Sequence, residues 1–208
     1  MLRKFFFLAV LVLLPSLTAL AQETPQWEIF GGYSYLRAGL GPTSPLSPSP
    51  SFSQLIGFSH INTNGWHASV TENVNKWFGA TIEVSGHYKR PLSIDLTPFG
   101  FPGQTLNINT SAYIAGGGPQ FSYHRIEKVS PFAHVLFGAF HARANLPTTD
   151  VKISDTTWAI TLGGGIDVRL SRHLAIRGQA DYIRSHFSDL AQNHVRVSGG
   201  LVYRIGRR

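Results

Sequence analysis

The stretch Trp77-Phe78-Gly79-Ala80-Thr81-Ile82-Glu83-Val84-Ser85-Gly86-His87-Tyr88 decides the fold. Its even positions are Phe, Ala, Ile, Val, Gly and Tyr, and its odd positions are Trp, Gly, Thr, Glu, Ser and His. Side chains on a strand point alternately to opposite faces, so one face is apolar and the other small, polar and charged. Aromatic residues close both ends of the apolar face. Rings at both edges of an aliphatic band suit a surface that meets lipid, with a girdle at each membrane interface.

The same alternation recurs along the chain. Trp27 to Tyr35 sets Trp27, Ile29, Tyr33 and Tyr35 against Glu28, Gly32 and Ser34, with Phe30 an apolar exception on the polar side. Gly65 to Asn73 sets Trp66, Ala68 and Val70 against His67, Ser69, Thr71 and Asn73. A fourth strand is expected from about Asn107 to Arg125, with Ile108, Thr110, Ala112 and Ile114 opposing Asn107, Asn109 and Ser111. Past Gly116-Gly117-Gly118-Pro119 the apolar positions become Phe121 and Tyr123, and a bulge at the glycines is expected to shift the parity. Pro131 to Arg143 is apolar on both faces and stays unoriented. Trp158 to Leu170 places Thr161, Gly163, Gly165, Asp167 and Arg169 on its polar face. The seventh strand opposes Arg177, Gln179 and Asp181 to Leu174, Ile176, Ala180 and Tyr182. The eighth opposes Arg196, Ser198 and Arg204 to Val195, Val197, Leu201, Tyr203 and Ile205.

The segments between strands sort by length. Residues 38–62, 89–106 and 144–156 read as long loops, the first carrying Pro42, Pro45, Pro48 and Pro50, and His186 to His194 as a shorter fourth. Between them stand the short turns at Asn73–Lys76, Ile126–Ser130 and Ser171–His173. Eight strands with long and short connections in alternation predict an all-β, eight-stranded antiparallel up-and-down transmembrane β-barrel, with short turns at the periplasmic end and long loops outside. Each strand offers roughly 9–11 residues for the membrane, enough when tilted about 45°. Aromatics fall in two groups. Trp27, Phe78, Phe121, Tyr123, Phe132 and Tyr203 lie near the turns, and Tyr33, Tyr35, Trp66, Tyr88, Phe140, Trp158, Tyr182 and Phe187 near the long loops.

The N-terminus places this chain in an exporting pathway. Arg3 and Lys4 precede an apolar run from Phe5 to Leu14, and Ala19-Leu20-Ala21 has the small-x-small form of a signal-peptidase site. Residues 1–21 are expected to be a cleaved signal peptide and 22–208 the barrel domain. Among 208 residues there is no cysteine, which excludes a lipid anchor on cysteine, disulfides and thiolate metal sites. Without Arg3 and Lys4 the basic count falls from 18 to 16 against 11 acids, a net charge of +5. Export argues against nucleic acid as the partner of that charge. No second helix-length apolar run follows, which excludes a bundle of transmembrane helices.

With Trp27-Glu-Ile-Phe-Gly-Gly-Tyr-Ser-Tyr35 at one end and Gly199-Gly-Leu-Val-Tyr-Arg-Ile-Gly206 at the other, the mature chain resembles the eight-stranded outer-membrane barrels related to the OmpA-type transmembrane barrel. The resemblance implies insertion by the barrel-assembly machinery and contact with outer-membrane lipid and lipopolysaccharide. OmpA itself carries a C-terminal peptidoglycan-binding domain, and this chain stops at Arg208. Family barrels commonly end on an aromatic residue, whereas here Tyr203 is followed by Arg204-Ile205-Gly206-Arg207-Arg208.

Function is expected to reside in three places. Parity sends Glu28, His67, Glu83, His87, Asp167, Arg169, Arg177, Gln179, Asp181 and Arg196 into the lumen, together with Thr71, Asn107 and Asn109. Eight strands leave room for little more than side chains, so these charges must pair as a structural network. Glu83 in particular needs a cation among Arg169, Arg177 and Arg196. A narrow path for small solutes or hydrophobic molecules is the alternative for the same set. Second, some eight-stranded outer-membrane barrels modify lipid A with His, Ser and an acid. Ser85 with His87, Ser185 with His186, and His141 are the residues to weigh; Ser85 and His87 share a face two residues apart, but no clear acid is found beside that pair. His60, His186 and His194 on loops match no metal-ligand spacing. The expectation is therefore a non-enzymatic protein without cofactor or metal, structural or surface-interacting. Third, Lys76, Arg125, Lys128, Arg172, Arg207 and Arg208 against Glu23 and Glu127 make the periplasmic rim basic, suited to anionic headgroups or to peptidoglycan.

Overall fold

A computed structural model describes residues 24–39, 60–95, 97, 102–103, 105–124, 128–146, 151–187 and 190–206. The expected signal peptide and most of the first long loop lie outside the described residues. Eight strands form the chain: β1 Trp27–Gly39, β2 His60–Asn73, β3 Phe78–Asp95, β4 Thr105–Ser122, β5 Val129–Leu146, β6 Val151–Arg169, β7 Leu174–Phe187 and β8 Leu190–Ile205. Each pairs antiparallel with its neighbour in sequence. β1 then pairs with β8, from Trp27↔Ile205 to Ala38↔His194, and closes the barrel. Closure leaves no exposed strand edge, which is the condition for strands to sit in lipid.

The two ends of the barrel differ. At the turn end, Asn73 and Phe78, Ser122 and Val129, and Arg169 and Leu174 are joined by short turns. Asn75 shapes the first, its side-chain oxygen accepting from the Trp77 and Phe78 amides at 3.0 and 2.8 Å. At the loop end, residues 40–59 and 96–104 connect β1 to β2 and β3 to β4. The other two loop-end connections differ from expectation. β5 and β6 continue to Leu146 and from Val151, and β7 and β8 to Phe187 and from Leu190, so only residues 147–150 and 188–189 join them. Strand continues through segments read as loop because, beyond a membrane band, both faces of a strand can be polar and the period-two signal fades. His60, His186 and His194 accordingly sit in β2, β7 and β8 rather than on loops.

Two parity expectations are corrected. The β3–β4 ladder runs without a slip from Phe78↔Phe121 to Lys89↔Thr110, straight through Gly116, Gly117 and Gly118. The irregularity lies instead between Lys89 and Leu92, which bracket Pro91, a residue with no ladder donor. Parity along β4 is thus constant. Ile108, Ala112, Ile114, Gln120 and Ser122 are buried inside, and Tyr113, Phe121 and Tyr123 face outward. Asn107 and Asn109 are not lumen residues. In β5, Phe132, His134, Leu136 and Phe140 point inward and Val135 and Phe137 outward. Phe132 and Phe140 therefore leave the aromatic girdles for the interior.

Both corrections have one cause. The loop-end half of the lumen is lined by apolar side chains: Leu36, Ala112, Ile114, Phe140, Ala159 and Ile183 form one buried cluster. There, an apolar residue does not mark the lipid side. The outer wall carries the lipid-compatible set, including Ile82, Val84, Phe137, Leu162, Ile166, Val197 and Leu201. Aromatic contacts cluster at its two edges. Trp77 stacks on Phe121 at 5.9 Å near the turns, and Tyr88 meets Tyr113 edge-on at 5.8 Å near the loops.

Candidate functional site

The interior polar set assembles around two arginines. Arg177, on β7, is 1% exposed. Its Nε donates to Asp167 Oδ1 at 2.7 Å and its Nη2 to Asp167 Oδ2 at 2.9 Å, the fork geometry that guanidinium and carboxylate share. The same Nη2 reaches Glu28 Oε2 at 3.1 Å across the barrel. Its Cζ lies 4.3 Å from the centre of the Phe132 ring and 5.5 Å from that of Phe30. The apolar exception in β1 is thus a cation–π partner inside the lumen. Arg204 joins from β8, donating to Asp167 Oδ2 at 3.1 Å, with its Nε 3.2 Å from Glu28 Oε1. That second approach is an ion pair at poor hydrogen-bond angle, since Nε and Oε1 otherwise lack bonded partners. His124 completes this layer at 3.6 Å from Glu28.

Arg196 organises the second layer, and it is fully buried. Nη2 holds both oxygens of Glu83 at 2.7 and 2.6 Å, Nε donates to Asp181 Oδ2 at 2.8 Å and Nη1 to Ser85 Oγ at 3.0 Å. Of the three cations named for Glu83, Arg196 is therefore the partner, while Arg177 serves Asp167 and Glu28. His67 Nε2 lies 3.0 Å from Glu83 and His134 Nε2 3.0 Å from Asp181, and Gln179 donates to Asp181 at 3.0 Å. A chain of hydrogen bonds continues from His67 Nδ1 to Ser198 at 3.2 Å, from Ser198 to Ser34 at 2.9 Å, and from Ser34 to His87 Nε2 at 2.9 Å. Gly163 makes room for this layer. A Cβ there would fall on the Asp181 carboxylate and on His134 Nε2.

Nine of the ten named lumen residues, Glu28, His67, Glu83, His87, Asp167, Arg177, Gln179, Asp181 and Arg196, share this bonded interior. Arg169, the last residue of β6, is only half-buried and lies at the turn-end margin. Arg204, His124, His134, Ser34 and Ser198 complete the network and were not among the ten. Unbroken even parity from Ala112 through Ser122 points to His124, and the same reading of β5 would have oriented His134.

The chemistry this interior can perform is limited. Charges this deep cost several kcal/mol each to desolvate unless fully paired. Here Arg177 and Arg196 are each met by a carboxylate directly opposite on the neighbouring strand, Asp167 or Asp181, and by a second, Glu28 or Glu83, from a non-adjacent strand. His67, Glu83 and Asp181 offer ligand atoms within 4.8 Å of one another. Both carboxylates already bond Arg196, however, and a metal ion would stand against that guanidinium. The donor set fits an ion-pair network, not a metal. Ser85 bonds Arg196, and His87 bonds Ser34 rather than Ser85. Ser185 pairs not with His186 but with His194, at 2.8 Å. His194 Nδ1 accepts the Gly39 amide at 3.1 Å, so a neutral ring carries its proton on Nε2 and donates to Ser185. That arrangement cannot take the serine proton, and its third member is a backbone amide rather than an acid. His186 stacks on Trp158 at 4.5 Å, and His141 bonds Thr156 at 2.6 Å on the outer wall. His186 and His194 thus lie on opposite faces of the wall.

The sequence matches a family model described as outer membrane protein beta-barrel domain over residues 7–204. Among solved structures it is similar to Neisserial surface protein A, at 11% identity over 86% of this chain and 97% of that one, with a TM-score of 0.61. It is also similar to Ail, the attachment invasion locus protein of Yersinia pestis, at 19% identity over 86% and 99%, TM-score 0.54. A third likeness is to OprG from Pseudomonas aeruginosa, at 10% identity over 88% and 97%, TM-score 0.50. At these identities the likeness is one of fold. No curated protein matches the chain by sequence.

Proposed function

Because the chain belongs to the outer membrane protein beta-barrel domain family, we propose that it serves the outer membrane as a sealed barrel with a structural and surface-presenting role, not as a pore. The observation that carries this reading is the filled lumen. Arg177 and Arg196 are buried with their carboxylates, and Leu36, in the row of Arg196, begins an apolar layer with Ile114, Phe140 and Ile183. A solute would have to break buried ion pairs and pass a hydrophobic constriction as well. Purified protein folded in detergent and added to planar bilayers is expected to give no conductance steps at any voltage. Regular steps would overturn the reading in favour of a narrow channel.

The orientation belongs to the same proposal. Residues 1–21 act as a cleaved signal peptide, the turn end with both chain ends faces the periplasm, and residues 40–59 face outside. Mass analysis of the mature protein should give an N-terminus at Gln22, and protease on intact cells should cut within 40–59. Exposed Lys76, Lys128 and Arg172 at the turn end support contact with anionic headgroups or cell-wall carboxylates. Recovery with purified peptidoglycan should fall when the three are neutralised.

A further inference from the structure

The turn-end mouth of the lumen is covered by a segment that belongs to no strand. In an open barrel the last inward residues before the rim would face water. Here Asn73 on β2, Ser122 on β4, Ser130 on β5 and Arg204 on β8 are all buried. Thr24 and Pro25, which precede β1, are buried as well, Thr24 at 1% exposure. Asn73 shows where they run. Its side chain points into the lumen, and its Nδ2 donates to the Pro25 carbonyl at 2.9 Å. Its backbone amide donates to the Gln26 carbonyl at 2.8 Å. Ahead of Trp27 the chain therefore bends inward across the mouth.

The local chemistry fits such a crossing. Buried backbone needs a partner for every N–H and C=O. Pro25 has no N–H to satisfy, and Asn73 takes the Pro25 and Gln26 carbonyls. Gly206, just past β8, has a φ of 71°, and a Cβ there would lie 2.9 Å from Gln26 Cβ and 3.1 Å from its Oε1. Glycine at that position serves both the left-handed backbone and the close approach of Gln26. One group works against the crossing. Thr24 Oγ1 is buried without a hydrogen-bond partner. A hydroxyl in that state favours an open form in which water bonds it, whereas the bonds from Asn73 favour the closed one. The two effects are of the same order, so the segment is poised between two positions.

We propose that residues 24–26 are a strap that opens and shuts the turn-end mouth, with Asn73 as its latch, and so controls water access to the layer of Glu28, Asp167, Arg177 and Arg204. Thr71 stands directly opposite Glu28 in the β1–β2 ladder, one inward position below Asn73, so it lines the wall beside that layer. With the strap seated the layer stays dry and its ion pairs keep their strength. With the strap lifted, water weakens them. The Arg196 pairs and the apolar cluster lie beyond, so lifting hydrates one end of the lumen without making a pore. That the mouth opens on the periplasm rests on the orientation proposed above.

The test exploits a chain without cysteine. Single cysteines replace fully buried Thr71, exposed Lys76 on the rim, and Ala159 in the distant apolar cluster, each in the full mature chain. Protein folded in detergent, where both mouths are accessible whichever way the barrel faces in cells, is treated with a small charged methanethiosulfonate. Mass spectrometry reads the labelling rates, which at a buried site follow local opening. Lys76→Cys should label rapidly and Thr71→Cys slowly. Adding Asn73→Ala should speed Thr71→Cys about tenfold, the upper end of what one hydrogen bond controls. Starting the chain at Gln26 should speed it further. Thr24→Val, which deletes the unpaired hydroxyl and keeps the shape, should slow it. Ala159→Cys should respond to none of the three. Heat-modifiable migration on gels confirms folding of each variant. Thr71→Cys labelling as fast as Lys76→Cys, no acceleration in Asn73→Ala or in the shortened chain, no slowing in Thr24→Val, or an equal change at Ala159→Cys would each overturn the proposal. Protease accessibility of residues 40–59 on intact cells tests the orientation by itself.

Discussion

Arg196 on β8 reaches across the lumen to hold both carboxylate oxygens of Glu83 on β3, at 2.7 and 2.6 Å. β3 and β8 are not neighbours in the sheet. The pair ties together walls separated by β1 and β2, whereas Arg196 with Asp181 and Arg177 with Asp167 join directly paired positions on neighbouring strands.

Removing one member of such a pair leaves the other charged, buried and uncompensated. Glu83→Gln keeps the shape and deletes the charge. It should lower the free energy of unfolding by about 3–5 kcal/mol, the range for broken buried pairs. Urea titration of protein folded in lipid vesicles, followed by tryptophan fluorescence, measures it. A loss below about 1 kcal/mol, the level of exposed ion pairs, would mean that Glu83 is solvated.

Arg177 tests geometry instead of charge. Lysine there would keep the positive charge but lose the fork to Asp167 and the planar stacking between Phe30 and Phe132. Arg177→Lys should cost about 1.5–3 kcal/mol in the same titration, the scale of a hydrogen bond to a charged group. Native stability in that variant would show that charge alone holds this layer.

Both predictions concern residues whose burial is readable from the sequence, because the period-two pattern puts Glu83 and Arg177 opposite aliphatic faces. The pairing of Arg177 with Asp167 is local, since the two stand directly opposite across the short β6–β7 turn. The pairing of Glu83 with Arg196 is not readable, because it depends on which non-adjacent strands meet inside a closed barrel, and no local pattern encodes that. The orientation of β4 and β5 is hidden for a different reason. Ile114 and Phe140 face an apolar lumen, so polarity no longer separates inside from outside. Ser154 to Thr157 looks like loop because polar residues fill both faces where β6 outruns the lipid. Proline also misleads, since Pro91 sits at a ladder irregularity rather than ending β3.

The serine–histidine contacts predict stability effects without chemistry. Ser85→Ala removes an acceptor from Arg196 Nη1, and Ser185→Ala removes the partner of His194 Nε2. Each should cost about 1–3 kcal/mol, the penalty for a buried polar group left unsatisfied. Lipid A mass profiles from cells carrying either variant should match those from cells with the native protein. A changed profile in one variant would make that serine a nucleophile and reopen the enzymatic reading.

The apolar layer makes a prediction about sealing. Leu36→Ala with Phe140→Ala opens the loop-end half of the lumen, at about 2–5 kcal/mol for each truncation. Conductance should nevertheless stay absent, because the ion pairs of Arg196 and Arg177 still fill the lumen beneath. Steps appearing in the double variant alone would identify the apolar layer as the sole barrier.

Gly163 gives the sharpest steric test, because its place is defined by the network and not by a turn. Asp181 and His134 meet at 3.0 Å in the space its missing side chain leaves. A methyl group on Gly163 would collide with Asp181 Oδ1 and His134 Nε2 together. Asp181 cannot retreat without loosening its 2.8 Å bond to Arg196, and Arg196 in turn holds Glu83. Gly163→Ala should therefore destabilise the barrel by about 1–3 kcal/mol, as overpacking does, although alanine suits a strand better than glycine. Gly178→Ala, on the outward face of β7 with nothing within 4 Å of the added carbon, is the control and should be neutral or stabilising. Equal unfolding midpoints for the two variants would mean that the Asp181–His134 contact has slack. In that case a Gly163→Ala, His134→Ala double variant would show additive losses instead of the coupling expected of groups in contact.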